Sequence, residues 1–503
     1  MPLYTAVLRH ATTAPGSTAI TIDNDARTYA DVLDFASRLL AWLDAIPAVR
    51  HRPWLAPGGR LVAVALANEA DAAGLFVGAS AYPHACAVLD ATWPVTTTRA
   101  VLDALAPDAI LTNNFDDPLA KIATALGLPW TTIADLPAAN QRHDREPADG
   151  GSSAFLVGFT SGTTSLPKGF LRSRDSWRAS LEAGREVFRI DATASTMAPG
   201  PLRHGLTLYA LAECLFSGAA FHGTAKFEAL QIARAIADTS VCRLVVVPSM
   251  LSALAPLFAQ VIPNGLQFII VAGSQLEGRL VTAIRAAVPS VEVIEYYGAS
   301  ELGFVSLRSL TSDPFPNSVG HAFPGVNIRT RAHDGRLCLP GEPGTIYVRS
   351  PLISDGYVFG DDGKGLRRDG AWATVGDSGI LDLDGRLTLI GREGGMIITG
   401  GQNVFPEEID SIVVTAAGVT DAATVGIPDD YLGQRLVCVV SLAPGAAPDH
   451  AALASHCAAQ LPRYKIPRRF FAIDEWPRTT SGKIVQKSIL SMLENRDARL
   501  KSL

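Results

Sequence analysis

The chain has 503 residues, of which 48% are hydrophobic and 18% are charged, and its 43 basic and 49 acidic side chains give a net charge of −6. At roughly 150 residues per domain this length corresponds to about three domain-sized units, which excludes a single small binding module. The nearly balanced charge argues against a protein that binds nucleic acid or a membrane surface through bulk charge.

The spacing of the cysteines and the apolar segments indicate the cellular compartment in which the protein is expected. The six cysteines lie far apart without a C-x-x-C pair, so we expect buried thiols in a reducing compartment and no zinc or redox framework. The N-terminal segment lacks the pattern of a signal peptide, and the most apolar stretch, 61–82, is interrupted by Asn68, Glu69 and Asp71. We therefore expect a cytoplasmic protein without a membrane span.

The first 300 residues alternate short β-branched runs with longer helical patterns. This alternation predicts an α/β fold whose sheets are mostly parallel and covered by helices. A helix is expected near 68–82. The runs expected to form strands are 61–67, 109–113, 243–249, 268–273 and 292–298.

After about residue 320 the pattern changes to strands separated by Gly and Pro, with Asp-Gly turn signals at 334–335 and 384–385. A β-rich subdomain is therefore expected behind the α/β body. The glycines around 391–401 predict a domain boundary. They divide the chain into an N-terminal domain, 1–393, and a small α+β C-terminal domain, 394–503.

The strongest chemical signal is the segment 159–169, which is rich in hydroxyl residues and glycine and follows an apolar strand pattern. In such a loop, backbone N–H groups and hydroxyls converge on phosphate oxygens, and Lys168 adds a compact positive charge. The same composition also suits a flexible connector, and the spacing is not that of a Walker loop. The candidate phosphate contacts are Thr160, Ser161, Gly162, Thr163, Thr164 and Lys168.

Four further segments follow this loop in a fixed order. They are YGASE at 297–301, VGD at 375–377, GR at 391–392 with GG at 400–401, and PRTTSGK at 477–483. Together the five segments resemble the adenylate-forming superfamily, which comprises acyl- and aryl-CoA synthetases, adenylation domains of peptide synthetases, and luciferases. The pattern is most similar to stand-alone acyl- or aryl-CoA ligases. The resemblance implies a large body followed by a mobile C-terminal domain.

The resemblance also implies a role for each polar candidate. Glu301 resembles the residue that holds Mg²⁺, and Asp377 the one that accepts the ribose hydroxyls, with Arg392 as the ribose or phosphate contact beside it. A solvated loop charge at Glu301 and an ordinary inter-strand ion pair at Asp377 are the alternatives. Further nucleotide-binding candidates are Gly273, Ser274 and Gln275 along the adenine, and Tyr297, Gly298, Ala299 and Ser300 near the triphosphate.

Lys483, in the segment TTSGK, resembles the lysine that bridges the substrate carboxylate and the α-phosphate. As the carboxylate attacks phosphorus, negative charge grows on the phosphoryl oxygens, and a preorganised cation stabilises that transition state more than the ground state. We expect Lys483, Glu301 and His204 to be the catalytic residues. Without the other four segments, Lys483 would be one of many surface lysines.

The resemblance implies an acyl pocket that contains His204, Gly205, Gly298 and Gly303. An isolated histidine is usually a packed core residue, but the flanking motif favours the pocket. Gly205 stands where amino-acid-activating members of the superfamily carry Asp. Because no anion is then present to pair a substrate ammonium, we expect an apolar acyl or aryl carboxylic acid. Gly394 occupies the hinge position, where the superfamily commonly carries Asp or Lys, and glycine absorbs a large backbone rotation.

The sequence thus predicts an enzyme that forms an acyl-AMP from a carboxylic acid and MgATP and passes the acyl group to a thiol. Coenzyme A is the preferred acceptor, and the phosphopantetheine arm of a carrier protein is the second candidate. A nucleotide-binding regulator without catalysis and a luciferase-like oxidative step are the alternatives from other classes. The sequence predicts a monomer or a homodimer and no nucleic-acid partner.

Overall fold

The computed structural model divides the chain into two compact units. The first comprises Met1–Ile328 and Val348–Val375, and the second Arg329–Tyr347 and Gly376–Leu503. The structure describes residues 2–47, 50–112, 117–138, 151–160, 166–239, 241–274, 276, 278–311, 318–361, 363, 365–392, 395, 397–399, 402–429, 432–479 and 484–503, with only the backbone at 398, 402 and 403.

The helices of the first unit are α1 (Tyr4–Thr13), α2 (Tyr29–Ala45), α3 (Ala72–Ala79), α4 (Val95–Leu105), α5 (Pro118–Ala125), α6 (Arg174–Val187), α7 (Gly205–Ser217), α8 (Ala229–Asp238), α9 (Pro248–Leu254) and α10 (Gly278–Ala287). Those of the second unit are α11 (Pro406–Val413), α12 (His450–Ala458) and α13 (Gln486–Glu494). In the described part of the chain, 3₁₀ turns lie at Ala255–Leu257 and Arg463–Lys465. Among the described residues, no helix combines the length and the apolar character needed to cross a bilayer.

The strands up to residue 322 are β1 (Thr18–Ile22), β2 (Asp25–Thr28), β3 (Leu61–Ala65), β4 (Ala85–Leu89), β5 (Ala109–Thr112), β6 (Trp130–Thr132), β7 (Ala154–Thr160), β8 (Lys168–Ser173), β9 (Ser195–Met197), β10 (Ala220–Gly223), β11 (Arg243–Val246), β12 (Phe268–Val271), β13 (Glu292–Ala299), β14 (Gly303–Ser309) and β15 (His321–Ala322).

The later strands are β16 (Asn327–Arg331), β17 (Pro343–Arg349), β18 (Gly356–Phe359), β19 (Arg367–Asp369), β20 (Trp372–Thr374), β21 (Asp377–Leu381), β22 (Leu387–Arg392), β23 (Ile397–Thr399), β24 (Gln402–Val404), β25 (Val419–Asp429), β26 (Gly433–Leu442), β27 (Arg469–Ala472) and β28 (Lys501–Ser502).

Two large sheets form the body of the first unit. In the part of the chain that the structure describes, one has the strand order β15-β14-β13-β12-β11-β9-β10-β1-β2 and the other β18-β8-β7-β4-β3-β5-β6. Their central strands are parallel. β3 and β4 are buried along nearly their whole length because helices cover the sheet, which is why they read as continuous apolar runs.

The second unit contains its own small sheet. Its strands lie in the order β24-β23-β26-β27-β28, and β25 forms a long antiparallel pair with β26. Helices α11 and α12 pack on one apolar cluster that includes Ile409, Val413 and Leu453, while α13 packs on a second one through Ile489 and Met492. The hairpin β21–β22 belongs to the same unit.

The predicted α/β class, the parallel sheets and the β-rich region after residue 320 are confirmed. Both Asp-Gly turn signals are correct, since Gly335 and Gly385 adopt positive φ and close turns. The predicted helix near 68–82 is shorter, α3, because Asn68 turns its side chain to other loops. The predicted boundary after residue 393 falls inside the second unit, next to undescribed residues, and stays a prediction.

The expectation that all six cysteines are buried is wrong for two of them. Cys86, Cys214, Cys438 and Cys457 are buried, whereas Cys242 and Cys338 are only half-buried. Cys242 immediately precedes β11, where its sulfur accepts a hydrogen bond from the Ser195 backbone N–H at 3.4 Å. Cys338 lies in a turn-rich segment of the β region, between the exposed residues Leu337 and Leu339, and its thiol donates to the Pro343 carbonyl.

Candidate active site

The candidate residues of the first unit follow the carboxyl ends of strands. Thr160 ends β7, Gly273 follows β12, and Glu301 follows β13, while His204 lies in the loop between β9 and α7. Ligands of open α/β sheets bind at this edge because the loops that leave parallel strands are free to carry polar groups. The candidates thus follow strand ends of both large sheets, β7 in one and β9, β12 and β13 in the other.

Strands β7 and β8 hold the two ends of the phosphate-loop segment together. They are antiparallel, and Thr160 pairs in register with Lys168. Lys168 is buried, and its ammonium lies 5.7 Å from the centre of the Tyr357 ring, a cation–π distance. Ser161, Gly162, Thr163 and Thr164 lie outside the described residues.

Glu301 lies at the tip of the β13–β14 hairpin. The hairpin closes with Ala299 opposite Gly303, and both glycines of this segment are required by geometry. A Cβ on Gly298 would lie 2.5 Å from the Gly303 carbonyl oxygen, and Gly303 itself has a φ of +72°. The Ser354 N–H donates to the Glu301 carbonyl at 2.8 Å, which fixes the backbone of the tip. The expected pocket role of the two glycines stays a prediction.

The Glu301 carboxylate is only 8% exposed and is held by neutral hydroxyl groups. The Tyr357 hydroxyl donates to Oε1 at 2.8 Å, and the Thr160 hydroxyl lies 3.5 Å from the same oxygen. Oε2 accepts no hydrogen bond from any described residue. Thr160, Glu301 and Lys168 are therefore brought together, with Tyr357 between them.

This donor set fits Mg²⁺ better than a metal that needs a protein cage. No cluster of three His, Cys, Asp or Glu side chains occurs in the described parts of the chain. Mg²⁺ characteristically takes one or two carboxylates, substrate phosphates and several waters. A single buried carboxylate with one oxygen open matches that requirement.

A buried ion pair holds the turn that we expect to lie along the adenine. Gly273 has a φ of +101°, which a side chain would disfavour, and Ser274 is exposed. The next described residue, Leu276, donates its N–H to Glu295 Oε1 at 2.6 Å, while Arg308 lies 2.6 Å from Glu295 Oε2. Glu295 and Arg308 are both buried. Gln275 lies outside the described residues.

The His204 loop is tied to neighbouring strand ends by Asn68. The Asn68 amide donates to the carbonyls of Gly200 and Thr224 at 2.9 and 2.8 Å, and its Oδ1 accepts the Leu202 N–H at 2.8 Å. Asn68 thereby joins the loops that follow β3, β9 and β10. His204 follows directly as the N-cap of α7.

The surroundings of His204 favour the neutral imidazole. Burial, together with the charge of Arg203, lowers the pKa of His204, and Asp90 opposes this effect. Arg203 Nε lies 2.8 Å from Asp90 Oδ1, so the guanidinium has a carboxylate directly beside it. Gly205 is exposed, and a Cβ placed on it would meet no atom within 4 Å. Open space beside His204 is consistent with the expected pocket.

In the second unit, Asp377 and Arg392 face each other across β21 and β22. Arg392 Nε lies 3.1 Å from Asp377 Oδ1, with side chains 55% and 18% exposed respectively. This is also the geometry of an ordinary inter-strand ion pair, so their nucleotide contacts stay predictions. Lys483 and the hinge position Gly394 lie outside the described residues, although Arg478 and Ile484 form a β-bridge around the lysine segment.

Sequence reasoning missed Tyr357, Glu295 and Asn68. Tyr357 acts on Glu301 across 56 positions and Asn68 on Leu202 across 134, whereas Glu295 acts on residues 13 and 19 positions away. No local spacing marks such partners. The one available signal was Asn68 itself, a polar residue that interrupts the most apolar stretch of the sequence.

Sequence comparison agrees with this geometry. The sequence profile of the AMP-binding enzyme family matches residues 7–358, and that of the AMP-binding enzyme C-terminal domain matches residues 408–483. The chain is 33% identical over 486 residues, 96% of its own length and 97% of the relative's, to an uncharacterized acyl-CoA ligase, YhfT, of Bacillus subtilis (strain 168). It is 25% identical to the long-chain-fatty-acid–CoA ligase FadD13 of Mycobacterium tuberculosis, covering 91% of this chain and 92% of that protein.

Solved structures share the fold. ATP-bound MatB from Rhodopseudomonas palustris superposes with a TM-score of 0.87 at 23% identity, covering 98% of this chain and 99% of MatB. The o-succinylbenzoate CoA synthetase MenE from Bacillus subtilis, in complex with the acyl-adenylate OSB-AMP, gives a TM-score of 0.82 at 21% identity, covering 99% of each chain. Together with the family matches, these likenesses confirm the resemblance drawn from the five sequence segments. The chain belongs to the AMP-binding enzyme family.

Proposed function

We propose that this AMP-binding enzyme uses MgATP to convert an apolar aliphatic or aryl carboxylic acid into an acyl-AMP and then transfers the acyl group to coenzyme A. The reaction class, an AMP-forming acid–thiol ligation, follows from the family and from the acyl-CoA ligase relatives. The observation that carries the nucleotide part is the joining of Thr160, Lys168 and Glu301 by β7, β8 and the β13–β14 hairpin.

In the first half-reaction, the substrate carboxylate attacks the α-phosphorus and pyrophosphate leaves. Lys168 and the segment after Thr160 would bind phosphate oxygens, and Glu301 would hold the magnesium ion. When bound, Mg²⁺ neutralises phosphate charge and favours departure of pyrophosphate. Lys483 stabilises the charge that develops between the carboxylate and the α-phosphate. Asp377 accepts the ribose hydroxyls.

In the second half-reaction, a thiol attacks the acyl carbonyl and AMP leaves. Rotation of the C-terminal domain about Gly394 would withdraw Lys483 and admit the thiol, so that one enzyme serves both steps. Splitting the acyl activation in this way replaces one difficult displacement by two easier ones.

The preference for an acid without an α-amino group rests on Gly205 and His204. No carboxylate side chain lies at position 205, and His204 is neutral near pH 7, so neither residue pairs an ammonium. A desolvated ammonium without a partner costs several kcal/mol, which is ample discrimination between otherwise similar acids. A neutral hydrocarbon or aryl group faces no such cost.

Hydroxylamine trapping tests the proposal. The enzyme is incubated with MgATP, hydroxylamine and a panel of aliphatic, aromatic and α-amino acids, and the hydroxamates are quantified. We expect the highest yield from an aliphatic or aryl acid, and consumption of coenzyme A when it replaces hydroxylamine. A highest yield from free α-amino acids would overturn the substrate class. Thioester formation on a phosphopantetheinylated carrier protein but not on coenzyme A would overturn the acceptor.

The remaining parts of the proposal are a cytoplasmic location and a monomeric or homodimeric enzyme. Size-exclusion chromatography with light scattering measures the oligomeric state directly. A higher oligomer would contradict this part of the proposal without bearing on the chemistry.

A further inference from the structure

We propose that Tyr357 positions the carboxylate of Glu301 for magnesium. Its hydroxyl donates a hydrogen bond to Oε1 and thereby leaves Oε2 available for the cation. This inference rests on the proposed function, in which Glu301 holds Mg²⁺. It assigns a role to a side chain that carries no recognisable motif and lies 56 positions from its partner.

The direction of the hydroxyl proton is determined by the surroundings of Tyr357. The Leu366 backbone N–H lies 3.2 Å from the Tyr357 oxygen and can only donate. The tyrosine oxygen therefore accepts from Leu366, and its own proton is directed to Glu301 Oε1 at 2.8 Å. A hydrogen bond to a carboxylate is stronger than one between neutral groups, so it restricts rotation of the carboxylate.

The ring of Tyr357 is itself held in place. β18 pairs antiparallel with β8, which puts Tyr357 opposite Phe170. The Lys168 ammonium lies 5.7 Å from the ring centre. Gly365 packs so closely that a Cβ there would lie 2.2 Å from the tyrosine oxygen. Because these neighbours restrict the Tyr357 ring, its hydroxyl can hold the Glu301 carboxylate in one orientation.

The partner that Tyr357 offers to Glu301 is a neutral hydroxyl group. The neutral hydroxyl leaves the full negative charge on Glu301, whereas an arginine or lysine in the same place would neutralise it. The arrangement orients a carboxylate for a cation without competing with that cation.

Two variants test this role. Tyr357→Phe removes the hydroxyl, and Gly365→Ala displaces it without touching Glu301. Binding of MgATP is measured by calorimetry in the absence of acid, across a series of Mg²⁺ concentrations, alongside the Mg²⁺ dependence of acyl-AMP formation. We expect both variants to raise the Mg²⁺ concentration for half-maximal binding about three- to tenfold, the range of a lost hydrogen bond, with kcat at saturating Mg²⁺ nearly unchanged.

Tyr29→Phe is the matched control. Its hydroxyl is buried and donates to the Cys214 and Ala219 carbonyls at 3.0 and 2.9 Å, away from Glu301. We expect it to lower the melting temperature and leave the Mg²⁺ dependence at the wild-type value. A Tyr29→Phe effect on Mg²⁺ equal to that of Tyr357→Phe would assign Tyr357 a merely structural role and overturn the proposal.

A double-mutant cycle completes the test. If Tyr357 acts through Glu301, Tyr357→Phe changes the Mg²⁺ dependence less than about twofold in a Glu301→Gln background. Equal effects in both backgrounds, or wild-type Mg²⁺ dependence in Tyr357→Phe, would overturn the inference. If no acid yields an acyl-AMP, the proposed function fails, and the calorimetric titrations still decide the role of Tyr357.

Discussion

Two carboxylates with expected nucleotide roles are held in opposite ways. Glu301, in the first unit, is buried and takes its hydrogen bond from the neutral hydroxyl of Tyr357. Asp377, in the second unit, is more exposed and has the Arg392 guanidinium directly opposite. A carboxylate held by neutral donors keeps its charge for a metal ion, whereas one paired with a cation is better suited to accept hydroxyl groups. The partners of each carboxylate are thus compatible with the ligand that we propose for it.

The largest expected effect tests whether the second unit supplies chemistry or only nucleotide contacts. Lys483→Ala should reduce acyl-AMP formation by about 10²–10³-fold, the range for one preorganised electrostatic contact, while thioester formation from supplied acyl-AMP is retained. Lys465→Ala is the control, because that lysine donates to Glu408 at 2.7 Å in the same unit. Both half-reactions are followed separately. Equal losses in both would contradict the role of Lys483.

The comparison of the two carboxylates is tested by two isosteric changes. Glu301→Gln should raise the Mg²⁺ requirement about 10–100-fold, since an amide carries no charge to balance the cation, and Asp377→Asn should raise KM for ATP about three- to tenfold. Asp377→Asn is expected to leave the Mg²⁺ requirement unchanged. Steady-state kinetics at varied Mg²⁺ separates the two effects. The same change in Mg²⁺ requirement in both variants would contradict the assignment of Mg²⁺ to Glu301 and of the ribose to Asp377.

Gly205→Asp tests the effect of a carboxylate that has neither a tyrosine hydroxyl nor a guanidinium placed to pair with it. The side chain has room, since a Cβ at 205 meets no atom within 4 Å, so its effect is electrostatic. We expect kcat/KM for the best neutral acid to fall about tenfold, because the new charge is partly desolvated beside the acyl group. Gly205→Asn, of the same shape but uncharged, is the control. Equal losses in the two variants would indicate a steric effect instead.

Glu295→Gln tests a carboxylate that pairs with both a neutral donor, the Leu276 N–H, and a cation, Arg308. Glu295 contacts no ligand in the proposed mechanism. The substitution should raise KM for ATP only about threefold, through the Leu276 turn, while the free energy of unfolding falls by about 3–5 kcal/mol because Arg308 is left buried without its counter-charge. Glu213→Gln is the control, because Glu213 forms an equally buried pair with Arg243 at 2.6 Å without holding the turn. It should lose similar stability and keep KM for ATP. A raised KM in both variants would assign the effect to general destabilisation.

What the sequence could predict depended on whether the information was local. The patterns of apolar residues located β3, β5, β7, β11, β12 and β13 but not β4, β6, β8, β9 or β10. The Asp-Gly turns at 335 and 385 were predicted from two residues each. The hydroxyl-rich segment and Glu301 could be proposed as site candidates because their motifs are contiguous in the sequence. Tyr357 was not, since a hydrogen bond between residues 56 positions apart leaves no spacing pattern. Glu295 was not, because its pairing with Arg308 depends on the register of the β13–β14 hairpin. The two half-buried cysteines were missed because exposure depends on the tertiary neighbours.

The three hydrogen bonds of Asn68 have a consequence for engineering. Because one amide fixes the loops after β3, β9 and β10, the segment that carries His204 is not an independent module. A loop graft from a relative with another acid preference would therefore transfer that preference only if residue 68 and the Thr224 loop came with it. A mutant library that varies residues 200–205 and keeps Asn68 would contain only loop conformations compatible with the Asn68 hydrogen bonds. Fewer variants would then have to be screened for altered acid specificity.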